Sequence, residues 1–438
     1  MNTQNKPLLV FYGPVDCYAG YGARSRDIVK ALIKSDKYEV KIISCNWGQT
    51  PHDFLDPNNE EHKQILDCII PNMLRQPDIW VMNTIPPEMQ KVGKYNILIT
   101  AGIETTLVDP SWIEGCNRAD LVLVSSEHAK KIFQDSSYEK RNNQTQQSEG
   151  ILKLNVPIEV LFEGADINIY NNKKEDTVEI NGIVEHLDKI EENFCYLYVG
   201  HWLQGELGED RKNIGGLIKT FLQTFKNKNK KPALILKTQM MSPSCMDREE
   251  ILERINHIQK LVGGKDLPKI YLLHGELSDR DMNRLYNHPK VKAHVSFTKG
   301  EGFGRPLLEA SLSAKPVITS NWSGQIDFLK AEFNQLIGGT LTNVHPSAIV
   351  PNIIIENSKW FTVDYKQASK ILEDVFTKYE KYLEGAKRQA YRSKTEFSLD
   401  KMQEKLMLIL DEKVPKYKPL ILPTLKKIQL PILNKVSE

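Results

Sequence analysis

Short apolar runs recur along the whole chain and are separated by stretches of helical period. Pro7–Tyr12, Val40–Ile43, Asp78–Met82, Asn96–Thr100, Leu121–Val124 and Ile158–Leu161 read as buried strands, because strands covered on both faces are continuously hydrophobic. Between the first two, Ala23–Lys34 places Ile28, Val29, Leu32 and Ile33 on one face of a helix. A second series follows: Phe194–Gly200, Ala233–Lys237, Ile270–His274, Val291–Phe297 and Pro316–Thr319, with helical segments such as Gly216–Phe225 and Arg248–Leu261 between them. Strands alternating with helices imply a parallel sheet, here twice over, so the expected class is α/β with two similar lobes. The polar patch from Glu139 to Gly150 reads as a surface loop, and a last long helix is expected over Leu399–Glu412.

Length and composition fit that picture and narrow it. The 438 residues suffice for two domains that each bury a core. With 40% hydrophobic and 26% charged residues the chain reads as globular, and no apolar run approaches the roughly 20 residues of a membrane span. The start, Met1–Pro7, lacks the basic and apolar regions of a secretory leader, so a cytoplasmic location is expected. The six cysteines are scattered without a C-x-x-C pair and read as reduced packing residues. Net charge is +2, but residues 413–438 carry six lysines against the single acid Glu438. With four prolines between apolar clusters, this tail reads either as a docked strap or as a contact for an anionic partner.

The chemistry concentrates in Gly300-Glu301-Gly302-Phe303-Gly304-Arg305-Pro306-Leu307-Leu308-Glu309. A strand leads in, and Pro306 suits the first turn of a helix, so the segment reads strand, glycine turn, helix. Gly302 and Gly304 would let the backbone approach a ligand, and free amides at a helix start favour a diphosphate. Glu309 is placed to accept ribose hydroxyls, and Glu301 to bond a sugar beyond the phosphates. Taken singly, each Glu is better read as a turn or solvated helix residue, and only the combination reverses that reading.

The combination resembles the retaining glycosyltransferases of family 4, which share a Glu-x7-Glu signature in the second of two Rossmann-like domains (the GT-B fold). The match runs on through Ala310–Ser320 and Ser323-Gly324, with Lys315 where a Gly is usual. The resemblance implies an acceptor-binding domain over residues 1–170, a nucleotide-sugar domain over 171–395, and a crossing helix with the basic tail, 396–438, packed on the first domain. It implies catalytic roles for Glu301 and Lys212, the latter on the donor diphosphate. The family's usual Arg after the strand ending at Gly200 is replaced by His201, which leaves Arg211 as the nearest candidate to complete the clamp; the competing reading pairs Arg211 and Lys212 with Glu209 and Asp210 at the surface. Glu104 stands where relatives carry a His against the sugar, and either orients the acceptor or caps a turn. Donor contacts are expected from Gly302, Phe303, Gly304 and Glu309, and from the His274-Gly275 loop at the base, His274 being equally a structural residue. Gly20, Tyr21 and Gly22 would face the cleft from the acceptor side. Asp279-Arg280-Asp281 has a metal-binding form, but directly after Ser278 it reads as a helix cap, and neither metal nor cofactor is expected, the nucleoside-diphosphate sugar, UDP-linked by preference, being a substrate.

The acceptor is a hydroxyl of open class. Gly102–Thr106 with Trp112, Cys116-Asn117 and Asp210–Asn213 resembles bacteriophage-encoded members, some of which glycosylate hydroxymethylated bases, so modified DNA is an alternative acceptor and the host cytoplasm the corresponding location. A non-catalytic sugar-nucleotide-binding protein of the same fold is the other alternative.

Overall fold

The structure is a computed structural model; it describes residues 6–173 and 182–417 apart from 49, 74, 143, 146, 241 and 242. The first lobe comprises β1 (Leu8–Gly13), α1 (Gly20–Ser35), β2 (Glu39–Ser44), α2 (Glu60–Leu66), β3 (Ile79–Asn83), β4 (Tyr95–Thr100), α3 (Pro110–Cys116), β5 (Leu121–Val124), α4 (Glu127–Asp135), β6 (Ser137–Arg141), β7 (Ser148–Lys153) and β8 (Ile158–Val160). The second holds α5 (Ile183–Asp188), β9 (Cys195–Val199), α6 (Ile214–Phe225), β10 (Ala233–Lys237), α7 (Cys245–Val262), β11 (Ile270–Leu273), α8 (Asp279–Asn287), β12 (Val291–Ser296), α9 (Arg305–Ser311), β13 (Val317–Ser320), β14 (Gln335–Ile337), β15 (Gly339–Asn343), β16 (Lys359–Val363), α10 (Tyr365–Thr377) and α11 (Glu380–Glu396). α12 (Leu399–Lys413) returns to the first lobe.

Each lobe is built on a six-stranded parallel sheet, ordered β2-β1-β3-β4-β5-β8 in the first and β11-β10-β9-β12-β13-β14 in the second. In both, the first strand of the lobe pairs with strands on either side, which opens a crevice beyond the carboxyl ends where ligands bind in such sheets. The apolar runs are buried as their hydrophobicity requires: Leu9, Val10 and Phe11 of β1 and Tyr196, Leu197 and Tyr198 of β9 are all inaccessible to solvent. α12 shows why the final helix leaves the second lobe. Met402, Leu406 and Leu410 recur every fourth residue and bury against Leu9, Ile28 and Ile42 of the first lobe.

The chain crosses between lobes twice at one place. Ala165 N–H donates to Phe397 O at 3.1 Å and Leu399 N–H to Ala165 O at 2.8 Å. A Cβ on Gly164 would stand 2.5 Å from Leu399 Cα, so the two crossings touch only because that residue is glycine.

The 139–150 patch is corrected by the structure. It is the body of an antiparallel hairpin, β6 against β7, and it reads as loop because both faces are wet, which removes the apolar alternation that marks a strand. As expected, Ser278 caps α8 by accepting from the Asp281 amide, and Ser126 caps α4. Lys418 and the rest of the tail to residue 438 lie outside the described residues; before them, Val414 and Tyr417 pack on the first lobe's core. Among the described residues no helix is long and apolar enough to cross a membrane.

Candidate active site

The two crevices face each other, and the loops at their mouths are in contact. β12 ends at Ser296, and the loop after it carries Glu301 into the interface, 7% exposed. Lys212, in the turn before α6, donates to Glu301 Oε1 at 2.5 Å. Arg211 reaches Glu301 Oε2 at 3.6 Å, Gly300 O at 2.9 Å and, across the cleft, Glu104 Oε1 at 3.1 Å. Four residues expected to act together, Glu301, Lys212, Arg211 and Glu104, are thus one cluster. The surface pairing of Arg211 and Lys212 with Glu209 and Asp210 does not occur: Asp210 is buried with its Oδ2 on the Ile214 amide, and Glu209 faces Lys299 at 3.5 Å. Burial alone would push the Glu301 carboxyl up, but Lys212 and Arg211 outweigh it and hold the group below the usual carboxylate value. Glu301 is therefore an anion at neutral pH, fixed as a hydrogen-bond acceptor.

The glycines of this loop serve the approach of the lobes. A Cβ on Gly300 would lie 2.1 Å from Glu104 O, and one on Gly302 would lie 2.6 Å from Ala101 O, both in the other lobe. At Gly302 the missing side chain thus makes room for Ala101 of the other lobe. Gly304 has φ +97°, a left-handed conformation that glycine alone adopts without strain. The Phe303 ring is buried 4.9 Å from that of Phe328, which leaves its backbone to face the cleft.

Glu309, in the second turn of α9, accepts from Arg305 Nε at 3.0 Å and from Tyr286 at 3.4 Å. Arg305 continues to Asp27 of α1 at 2.6 Å and so joins the lobes. Burial, only partly offset by Arg305, raises the Glu309 pKa to about 7. Neither Asp27 nor Arg305 was found from sequence; the available signals were the i, i+4 spacing of Arg305 and Glu309 and a run of polar residues, Arg24–Asp27, at helix positions that turn out buried.

The remaining candidates divide. His201 is exposed at the end of β9. His274 bonds Asp247 at 2.7 Å with its side chain 8% exposed, a structural role. Gly275 O accepts from Lys237 Nζ at 2.6 Å, and both line a cavity of about 540 Å³ with Arg248, Tyr271 and Leu277. On the acceptor side, Tyr21 Oη lies 3.1 Å from Thr100 Oγ1 and accepts the Ala101 N–H at 3.1 Å. Gly20 opens α1 with free space at its Cβ position, whereas a Cβ on Gly22 would stand 2.2 Å from the Cys17 carbonyl oxygen, so that glycine serves the close packing of the Cys17 turn on α1. Among the described residues no group of three or more His, Cys, Asp and Glu is placed to hold a metal.

Residues 252–345 match the family model described as glycosyl transferases group 1. None of the curated proteins matches the chain in sequence. Among solved structures, a glycosyltransferase from Rickettsia africae superposes with a TM-score of 0.61 at 14% identity, over 94% of this chain and 100% of that one. Sucrose-phosphate synthase from Thermosynechococcus elongatus gives 0.60 at 12%, over 93% and 98%. HepE from Anabaena, in complex with UDP and glucose, gives 0.58 at 14%, over 92% and 99%. The fold is GT-B, and the domain match within it supports a glycosyltransferase.

Proposed function

We propose that the protein is a retaining glycosyltransferase that moves a sugar from a UDP-sugar to a hydroxyl acceptor, with residues 1–170 serving the acceptor and 171–395 the donor. The observation that carries this reading is the cluster at Glu301: an ionised carboxylate held by Lys212 and Arg211 where the two crevices meet. The UDP bound by the Anabaena protein of the same fold supports UDP as the nucleotide.

In this reading Glu309 takes the ribose, the Gly275 loop the base, the backbone from Gly302 to Gly304 the diphosphate, and His201 the rim of that site. Lys212 and Arg211 meet the charge that grows on the diphosphate as it leaves, where fixed cations in a water-poor cleft act most strongly. Glu301 orients the sugar hydroxyls, and Glu104 across the cleft faces the acceptor. The bond from the anomeric carbon to the phosphate oxygen breaks, the acceptor oxygen bonds the same face of that carbon, and its proton passes to the departing phosphate. The products are UDP and the glycoside with its anomeric configuration kept. Calorimetry with UDP and UDP-glucose tests the donor site, and proton NMR of the product tests the stereochemistry. An inverted anomer would overturn the retaining mechanism, and no binding of either nucleotide would overturn the whole assignment.

A further inference from the structure

The acceptor side carries a built surface whose chemistry has not yet been used. Tyr21 and Trp47 stack with ring centroids 4.0 Å apart and planes 21° from parallel. The Tyr21 hydroxyl is bonded at the end of β4, beside the Ala101 and Glu104 carbonyls that the signature loop packs against. The Tyr21 end of this aromatic pair therefore stands at the carboxyl end of β4, where the loop carrying Glu301 packs from the other lobe. Trp47 is half-buried, in the loop after β2.

An aromatic face alone does not identify its partner, since a pyranose offers C–H bonds to the negative face of the ring and a nucleobase stacks on it as well. Charge discriminates between them. The loops at the carboxyl ends of the first sheet, residues 14–19, 45–59, 84–88, 101–109, 125–126 and 161–165, contain seven carboxylates, among them Asp16, Glu88, Glu104 and Glu163, and no Lys or Arg. The two arginines beneath them are committed to main-chain carbonyls: Arg24 to Leu161 and Phe162, Arg26 to Val15 and Cys17. A polyanion is held by Lys and Arg on its phosphates, and a surface of this sign repels it. Carboxylates, by contrast, accept the hydroxyl protons of a sugar.

Resting on the glycosyltransferase reading, we propose that the acceptor is an uncharged carbohydrate whose ring stacks on Trp47 and whose hydroxyls are bonded by carboxylates of these loops other than Asp16 and Asp109, which accept from the Leu55 and Ser111 amides. Modified DNA and sugar phosphates are thereby disfavoured as acceptors.

The test uses the full chain with UDP-glucose, UDP-galactose and UDP-N-acetylglucosamine, reading UDP release against methyl glucoside, galactoside and mannoside, their octyl counterparts, a sugar phosphate, glucuronate and duplex DNA containing hydroxymethylcytosine. Neutral glycosides are expected to accelerate release, with methyl against octyl separating a free sugar from a lipid-linked one. Trp47→Ala should raise the KM of the neutral acceptor about tenfold, the loss of one stacked ring, whereas Trp47→Phe keeps a flat face and should stay within about threefold. Acceleration by DNA or by the anionic sugars in preference to neutral ones overturns the inference, as does acceleration by no neutral glycoside or an unchanged KM in Trp47→Ala. A protein that binds UDP-sugar but fails these arms loses the acceptor assignment alone; one that binds no UDP-sugar loses the donor reading beneath it.

Discussion

The two lobes are the same sheet used twice, but only the second brings cations to the cleft end of its sheet. In the second lobe the loops beyond the strands, with the start of α9, bring Arg211, Lys212, Lys299 and Arg305 to the cleft, each of them held by carboxylates: Glu104 and Glu301, Glu301, Glu209, and Asp27 with Glu309 respectively. In the first lobe the corresponding loops have carboxylates and no cation. Topology thus says where a ligand sits, and loop chemistry says which ligand. Two of those ion pairs, Glu104–Arg211 and Asp27–Arg305, span the cleft, so closing the lobes and assembling the site are one event.

Removing the donor-side charge is expected to have the largest effect. Lys212→Ala should lower kcat on the order of 100-fold or more, the scale of losing one preorganised electrostatic donor, with a smaller change in KM for the donor. A loss below about threefold in steady-state assays would assign the role to Arg211 instead. Next comes the contact between lobes. Gly300→Ala introduces a Cβ where the Glu104 carbonyl now stands at 2.1 Å, so the lobes must part. Turnover should fall roughly 30-fold through misplacement of the reacting groups, and small-angle scattering should report a larger radius of gyration. Unchanged kinetics and dimensions would show that the approach at Gly300 is not needed for turnover.

What the sequence made legible follows the range of the interactions. The strand, turn and helix around Glu301 are encoded within a few residues, by alternation, glycine and Pro306, and the structure reproduces all three. The cluster of Glu301 with Lys212 was reachable because each residue sits in a local motif. The Asp27–Arg305 pair was not, since its members are 278 positions apart and only the docking of the lobes makes them neighbours. Where the Phe303 ring turns was not legible either: its position in a glycine loop does not fix it, and an apolar ring next to a core is pulled into it. At Gly302 the missing side chain makes room for Ala101 of the other lobe, a use the sequence does not distinguish from room for a ligand. The hairpin at 137–153 escaped because only its base, Tyr138 paired with Leu152, reaches the core, and the rest of both strands is wet and leaves no periodic trace.

The Glu309 site gives a pH test of the donor side. Its folded pKa is raised to about 7 by burial, so the folded protein holds a proton there that the unfolded chain releases near the ordinary carboxylate value. Its contribution to stability is complete below that value and is lost as pH rises through about 7. Ribose binding needs the opposite state, the anion that accepts hydroxyls. UDP affinity should therefore rise between about pH 6 and pH 8, by up to roughly tenfold, while the melting temperature of the free protein falls between about pH 5 and pH 7 and levels off above. Glu309→Gln should flatten both trends; a UDP affinity independent of pH in the wild type would remove Glu309 from the ribose.

The smallest effect is expected on the acceptor side, where Tyr21→Phe deletes one oxygen and keeps the ring on Trp47. The hydroxyl accepts the Ala101 N–H and shares a hydrogen bond with Thr100 Oγ1, and it is largely withdrawn from water, its pKa pushed up to about 12 by burial. Its loss leaves the Ala101 amide short of a partner at the point where the loop bearing Glu104 leaves β4. The cost should be about 1 kcal/mol, the net worth of such a bond, and a fall of a few degrees in melting temperature is the direct readout. Because Ala101 also contacts Gly302 across the cleft, the acceptor KM should rise by about threefold through the loosened loop, with the UDP dissociation constant less affected. If Tyr21→Phe instead weakens UDP binding as much as acceptor binding, the division of labour between the two lobes is wrong at this residue, and the aromatic floor belongs to the donor.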